Sequence, residues 1–283
     1  MIAPAGPFDV AAFERGVARL RERYDVRFEP EILARHGYLA GDDARRAREL
    51  KAALAAPDVA AIIAARGGYG VTRILPLMAA EEVRRHAPLL VGFSDITALH
   101  ALWAQAEVSS IHGSMVAGLG NTSDALFARF IDALEGRFPA SWSGLQTYSP
   151  GVAEGVLLGG NLAVLTALLG TPAFPPLDDA VLFLEDVNER PYRVDRMLTT
   201  WLHAGAFRGV RAVVLGAFEL GEPGADGVTL ADVLRERLSQ LSIPVAAGLP
   251  AGHVDDNAEL PFGRRVTLDT NVGRLYVHER RPA

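Results

Sequence analysis

Four short segments carry the residue types that hydrolytic chemistry requires. In LLVGFSDITALH an apolar strand runs into Gly92-Phe93-Ser94-Asp95, and a helix pattern begins at once. A serine on such a turn projects its hydroxyl beyond the sheet. The next N–H then lies at a helix N-terminus, where the dipole and unpaired donors favour an oxyanion. Ile96 stands where a G-x-S-x-G elbow has its last glycine, so the generic motif is not met, and capping of the helix by Ser94 or Asp95 is the plainer use. In AARGGYGVTRILP a strand runs into Arg66-Gly67-Gly68-Tyr69-Gly70, where three glycines allow close approach and free N–H groups facing an anion. The segment lacks the Lys-Ser/Thr of a P-loop and the G-x-G-x-x-G spacing, which disfavours a nucleotide; a tight turn is the competing use.

In AVLFLEDVNERPYRVDRML a buried strand delivers Glu185 and Asp186 at its C-terminal end, where open α/β sheets place ligands. A carboxylate there can orient a histidine and stabilise its imidazolium form, or pair with Arg190 or Arg193. In LPAGHVDDNAELPFG, His253 follows Gly252 in a loop after a strand-like run, a better setting for a general base than a helix surface. The remaining histidines (36, 86, 100, 112, 203 and 278) lack it, although His112 also ends a strand. His253, Asp255 and Asp256 cluster, but there is no H-E-x-x-H and no second histidine at ligand spacing, so no metal is expected.

The elements that must position these residues alternate along the chain. Ala11–Arg23 has Phe13, Val17 and Leu20 on one helical face, Asp25–Phe28 reads as a short strand, and Asp42–Ala55 is a charged amphipathic helix. Continuous apolar runs at Val59–Ala64 and Pro88–Gly92, with the helical ITALHALWAQ after them, predict a parallel sheet covered on both faces. EGRFPASWSGLQTYSPG has no period and reads as an inter-domain connection. Beyond it lie strands at Ala180–Leu184 and Ala212–Leu215, helices around Val194–Leu202 and Leu230–Leu241, the strand-like PVAAGLP, and a terminal hairpin about Asn271-Val272-Gly273. In the first of these helices Arg193, Asp195 and Arg196 are expected to face solvent. The expected fold is α/β in two domains. Residues 1–135 form a mostly parallel sheet flanked by helices and carrying Ser94, 136–155 a linker, and 156–283 an α/β domain with a β-rich sheet carrying Glu185 and His253. The active site is expected at the domain interface.

Composition narrows the partners. In 283 residues, 28 Lys and Arg against 34 Asp and Glu leave a net charge of −6, and no basic run is present, so nucleic acid is not an expected partner. The absence of cysteine excludes a disulfide framework, a thiolate zinc site and a cysteine nucleophile. No secretory signal is visible in MIAPAGPFDVAAFERG. The stretch Gly155–Leu177 is uncharged, but its glycines and prolines break it into a strand end, a helix near Leu162–Leu169 and a loop, so no membrane span is expected.

Taken together, ARGGYGVTRILP, GFSDIT, GGNL at Gly159–Leu162, LFLEDVNERPYRVDRML and GHVDDNAELPFG resemble the LD-carboxypeptidase family of serine peptidases, which spans muropeptide LD-carboxypeptidases and the related microcin-immunity proteins. The resemblance covers nearly the whole chain in family order. It implies Ser94 as nucleophile, Glu185 as triad carboxylate and His253 as base, with the backbone N–H groups of Asp95 and of one glycine of the 67–70 turn, taken here as Gly68, as oxyanion donors. It further implies release of a terminal D-alanine from murein tetrapeptides during cytoplasmic cell-wall recycling, by a homodimer without a cofactor. Arg66 or Arg73, beside the glycine turn, is a candidate for the substrate carboxylate. Two other readings stand beside this one. A microcin-immunity-like peptidase would cleave an aminoacyl-nucleotide conjugate, with Tyr69, Phe93 and Trp103 the available aromatic rings; a non-catalytic binder would hold an anionic peptide on the glycine loop. One departure from the family is that only Met1-Ile2 precede the Ala3-Pro4-Ala5-Gly6-Pro7 turn, where a longer apolar strand is usual.

Overall fold

The computed structural model describes residues 1–279 and divides into two compact units, Met1–Arg137 with Glu259–Pro261, and Phe138–Ala258 with the segment from Phe262 onward. In the first unit the apolar runs become the parallel strands Ala61–Ile63, Leu89–Gly92 and Ser110–His112, with Ile63 opposite Val91 and Gly92 opposite His112. Strand Leu260–Phe262 joins beyond Ser110–His112. The helices Val10–Arg21, Asp43–Ala55 and Thr97–Gln105 each turn an apolar stripe inward, burying Phe13 and Leu20, Leu50 and Leu54, and Leu99 and Trp103. Side chains start the first two: Asp9 accepts from the Ala12 N–H and Asp42 from the Arg45 N–H.

The second unit is built on an eight-stranded sheet. Its parallel centre is Val152–Asn161, Ala180–Val187, Ala212–Glu219 and Val245–Ala247. Strand Ala180–Val187 is buried along all but its last residue, as a strand covered on both faces must be. Helices Leu162–Leu168, Pro191–Ala204 and Leu230–Leu238 supply the apolar cover through Leu165, Leu198, Trp201 and Leu238. The terminal hairpin forms as Arg265–Asp269 against Arg274–Val277.

Three local expectations are corrected. Residues 25–28 pair with no strand among the described residues; Phe28 instead sets its ring edge-on against Phe13, 5.2 Å between centroids. The stretch expected as a connection carries two short strands of the second sheet. Ser141–Ser143 pairs with Arg274–Val277, and Gln146–Ser149 with Val245–Ala247. Both are short, mostly polar edge strands, with Trp142 and Tyr148 their sole large apolar side chains, too little to leave a strand period in the sequence. Asp195 is half-buried rather than solvated and accepts from Arg237 Nε at 2.6 Å. At the N-terminus, Ile2 makes a single parallel bridge to Ala64. No helix among the described residues is long and apolar enough to cross a membrane.

Candidate active site

In the first unit, strand Leu89–Gly92 ends at extended Phe93, and Ser94 then takes φ of +63°, a left-handed conformation that a serine adopts only under constraint. This is the backbone of a nucleophile elbow, although Ile96 fills the position of its last glycine. The bulk is absorbed at Gly92, where a Cβ would lie 2.9 Å from the Ile96 side chain. Buried His100 steadies the same turn, one ring nitrogen 2.9 Å from the Gly92 carbonyl oxygen and the other 2.8 Å from Ser110 Oγ. Burial pulls its pKa down to about 4, so the ring stays neutral.

The glycine loop lies against this turn. A Cβ on Gly67 would come within 2.9 Å of Ser94 Cβ and 3.1 Å of Ser94 Oγ, so glycine is required there. Gly68 and Gly70 have φ of +114° and +131°. Among the described residues, neither the Gly68 nor the Asp95 N–H donates to a protein oxygen. The Asp95 side chain has a further use: Oδ2 accepts from the Val71 N–H at 2.9 Å, tying the loop to the serine turn. Burial pushes this carboxyl up to about 6, against the opposing Val71 N–H, the Arg46 charge and the Gly70 N–H.

The two arginines proposed for the substrate carboxylate differ. Arg66 is exposed and donates to the Pro7 carbonyl at 2.8 Å. Arg73 directs Nε and an Nη to Asp43 Oδ2 at 3.0 and 2.9 Å, so its fork is occupied. Of the aromatic rings, Trp103 is fully buried with Nε1 on the Pro88 carbonyl and offers no platform, and Phe93 sets edge-on to His112. Tyr69 is exposed beside Tyr38.

In the second unit, fully buried Glu185 accepts through Oε2 from His253 Nδ1 at 2.8 Å. Local backbone features bring the pair together. The ladder between Ala180–Val187 and Ala212–Glu219 shifts between Leu184 and Asp186, leaving Gly216 and Ala217 opposite Glu185 as a bulge. The Ala217 N–H then donates to the Ala251 carbonyl, and the Leu249 N–H to Leu215, seating the histidine loop on the bulge. Gly252, at φ of +121°, completes the turn: its N–H donates to Asn257 Oδ1, and a Cβ there would sit 2.9 Å from Glu185 Oε2. Burial of the imidazole lowers the His253 pKa, but the Glu185 hydrogen bond and the charges of Glu185 and Asp186 outweigh it, and the net direction is upward. Asp186, itself pushed up to about 6 by burial, accepts from Asn161 Nδ2, the Ala163 N–H and the Val187 N–H. It thereby fastens the GGNL segment beside the carboxylate strand. No group of three or more His, Asp or Glu suited to a metal occurs among the described residues.

Sequence reasoning missed Arg46, a fully buried guanidinium under the glycine loop. The signal was its spacing, since residues 46, 50 and 54 share one face of the helix Asp43–Ala55 with Leu50 and Leu54. A charge on an apolar stripe needs buried partners.

A left-handed serine at a parallel strand end and a buried carboxylate–imidazole pair, on α/β frames, are the equipment of a serine hydrolase. Residues 1–113 match the model of the LD-carboxypeptidase N-terminal domain and residues 154–268 that of the C-terminal domain. The chain therefore belongs to the LD-carboxypeptidase family, and it is a serine-type carboxypeptidase. Among relatives, the murein tetrapeptide carboxypeptidase of Pseudomonas aeruginosa is 29% identical over 96% of this chain and 92% of its own. A Streptomyces coelicolor protein with a provisional carboxypeptidase name is 40% identical over 97% and 91%. The crystal structure of muramoyltetrapeptide carboxypeptidase from Oxalobacter formigenes aligns with a TM-score of 0.84 at 33% identity, covering 99% of both chains. The microcin C7 self-immunity protein MccF aligns at 0.87 with 24% identity, covering 99% of this chain and 95% of its own, a likeness of fold.

Proposed function

We propose that the protein releases the terminal D-alanine of murein tetrapeptides through an acyl-enzyme on Ser94. The observation that carries this reading is the 2.8 Å bond between His253 Nδ1 and buried Glu185, which leaves the imidazole oriented and its protonated form favoured. The names of the Pseudomonas and Oxalobacter relatives support the substrate class. In this mechanism His253 takes the Ser94 proton as Oγ bonds to the scissile carbonyl carbon. The Gly68 and Asp95 N–H groups stabilise the oxyanion, each such donor being worth about 3 kcal/mol. The C–N bond then breaks, and His253 passes the proton to the departing amine of D-alanine. Water, deprotonated by the same imidazole, cleaves the ester and restores the serine. Arg66, whose partner among the described residues is the Pro7 carbonyl, is better placed than Arg73 to pair with the substrate's free carboxylate. The reading extends to a cytoplasmic homodimer acting on recycled wall peptides.

The test is mass-spectrometric detection of D-alanine from L-Ala-D-Glu-meso-diaminopimelate-D-Ala, wild type beside Ser94→Ala. Release by wild type alone is expected. Release by both proteins would remove Ser94 from its role, and release by neither would remove the substrate assignment.

A further inference from the structure

The orientation of one peptide plane decides whether the glycine loop can hold an oxyanion. In a trans peptide the C=O and the following N–H point in opposite directions. The Gly67 carbonyl is held by the Gly6 N–H at 3.0 Å, so the Gly68 N–H is directed away from Gly6. Rotation of this plane would present a carbonyl instead of a donor, and glycines at positions 67, 68 and 70 leave little intrinsic resistance to rotation.

Resistance comes from buried charge. Arg46 Nη1 donates to the Pro4 carbonyl at 2.5 Å and the Gly70 carbonyl at 2.7 Å, and its other Nη bonds Asp43. One guanidinium thus joins the 3–7 turn, which supplies Gly6, to the far end of the glycine loop. Neighbouring Arg45 and Glu49 fix the start of the same turn, Arg45 donating to the Ala3 carbonyl at 2.7 Å and Glu49 accepting from the Ala3 N–H at 2.7 Å. From the serine side, Asp95 Oδ2 holds the Val71 N–H at 2.9 Å, one residue beyond Gly70. A neutral side chain would cap the four-residue helix Val71–Ile74 without the desolvation cost of a buried carboxylate. A charged pair closing on the loop from two sides gives that cost a purpose.

We propose that Arg46 and Asp95 are positioning residues that clamp the glycine loop between the 3–7 turn and the serine turn, holding the Gly68 N–H where an oxyanion forms. The inference rests on the proposed Ser94 chemistry, but its geometry can be tested apart from it. Arg46→Lys keeps the charge and loses the fork that spans two carbonyls. Asp95→Asn keeps an acceptor for Val71 and loses the negative charge whose field acts together with that of Arg46 on the loop. In the tetrapeptide assay, Arg46→Lys is expected to lower kcat about 100-fold, the loss typical of one oxyanion donor, with KM within about twofold, and Asp95→Asn to lower it about 10-fold. Kd for the tetrapeptide in a Ser94→Ala background should not move, since the hole serves the transition state alone.

Amide hydrogen exchange supplies the activity-independent arm. Residues 67–71 should exchange at least about tenfold faster in Arg46→Lys, while helix Thr97–Gln105 keeps its wild-type rate. Unchanged exchange in the loop, or kcat within about twofold of wild type in both variants, overturns the clamp and leaves the Ser94 assignment standing. Equal acceleration of exchange in loop and helix would assign Arg46 to general stability and equally overturn it. Loss of the Ser94 reading would appear separately, as wild-type protein that releases no D-alanine.

Discussion

Asp95 and Asp186 occupy matching places in the two units. Each follows a proposed catalytic residue by one position, each is buried, and each is pushed up to about 6 chiefly by that burial. Each also accepts an N–H from the first turn of a helix, Val71 in one unit and Ala163 in the other. Their further surroundings diverge. Asp95 has the Arg46 guanidinium drawing its pKa back down, whereas Asp186 has the Glu185 carboxylate adding to the rise. A carboxylate balanced by a fixed cation stabilises a backbone geometry. Two adjacent carboxylates instead favour any cation that forms beside them, and in the second unit that cation is the imidazolium of His253. The same residue type fastens backbone in both units, and in the second it also adds to the proton affinity of His253.

The largest effect should come from removing the anion that sets proton affinity. Glu185→Gln is expected to lower kcat by about 10³- to 10⁴-fold, as loss of a triad carboxylate does elsewhere. The His253 pKa is raised in the folded protein, so the neutral base appears only as pH climbs past that raised value. Removing the anion lowers the pKa, and the acid limb of kcat/KM should therefore move to lower pH. An acid limb that stays in place would show that Glu185 does not control His253 and would break the comparison on its second side.

An intermediate effect separates backbone strain from contact with the pair. Gly252→Ala places a methyl group 2.9 Å from Glu185 Oε2 at φ of +121°, whereas Gly248→Ala, at φ of +91°, meets nothing within 4 Å. Both should destabilise by about 1 to 3 kcal/mol through strain. Only Gly252→Ala should also lose more than about tenfold in kcat. Thermal melts beside steady-state kinetics would reveal equal kinetic losses, and these would deny that the contact with Glu185 matters.

The smallest effect concerns stability and pH. An acid whose folded pKa lies above its ordinary value retains a proton in the fold while the unfolded chain releases it. Stability is then full below the ordinary value, 3.8 for aspartate, and is lost as pH rises toward about 6. Each acid accounts for at most about 3 kcal/mol of that loss. Melting temperatures of wild type from pH 4 to 7 should fall accordingly, and Asp95→Asn and Asp186→Asn should each flatten the slope. A slope unchanged by Asp95→Asn would mean that Arg46 already holds that carboxyl ionised, sharpening the contrast between the units.

Legibility in the sequence followed burial and periodicity. The apolar stretches 61–63, 89–92, 180–184 and 212–215 announce themselves as strands because both faces are covered there. Edge strands 141–143 and 146–149 do not, since each is short and mostly polar, with a single aromatic residue, Trp142 or Tyr148, turned to the core. Ser94, Glu185 and His253 were legible as residue types at the ends of such runs. Arg46 was not recognised, because an arginine in DARRAREL reads as a solvated helix face until the helix is placed. The commitment of Arg73 to Asp43 was equally hidden, since the partners lie 30 residues apart.

The sequence by itself determined which segments become buried strands, which turns must be glycine-rich, and which serine, carboxylate and imidazole are available at strand ends. These follow from local steric and hydrophobic preferences that act over a few residues. Only the tertiary structure decided that Glu185 meets His253 across 68 residues, that a bulge at Gly216–Ala217 seats the histidine loop, and that Arg46 reaches from a helix to two carbonyls on separate turns. Hydrogen bonds of that kind are set to a few tenths of an ångström by packing of whole elements, and no residue spacing along the chain encodes such distances.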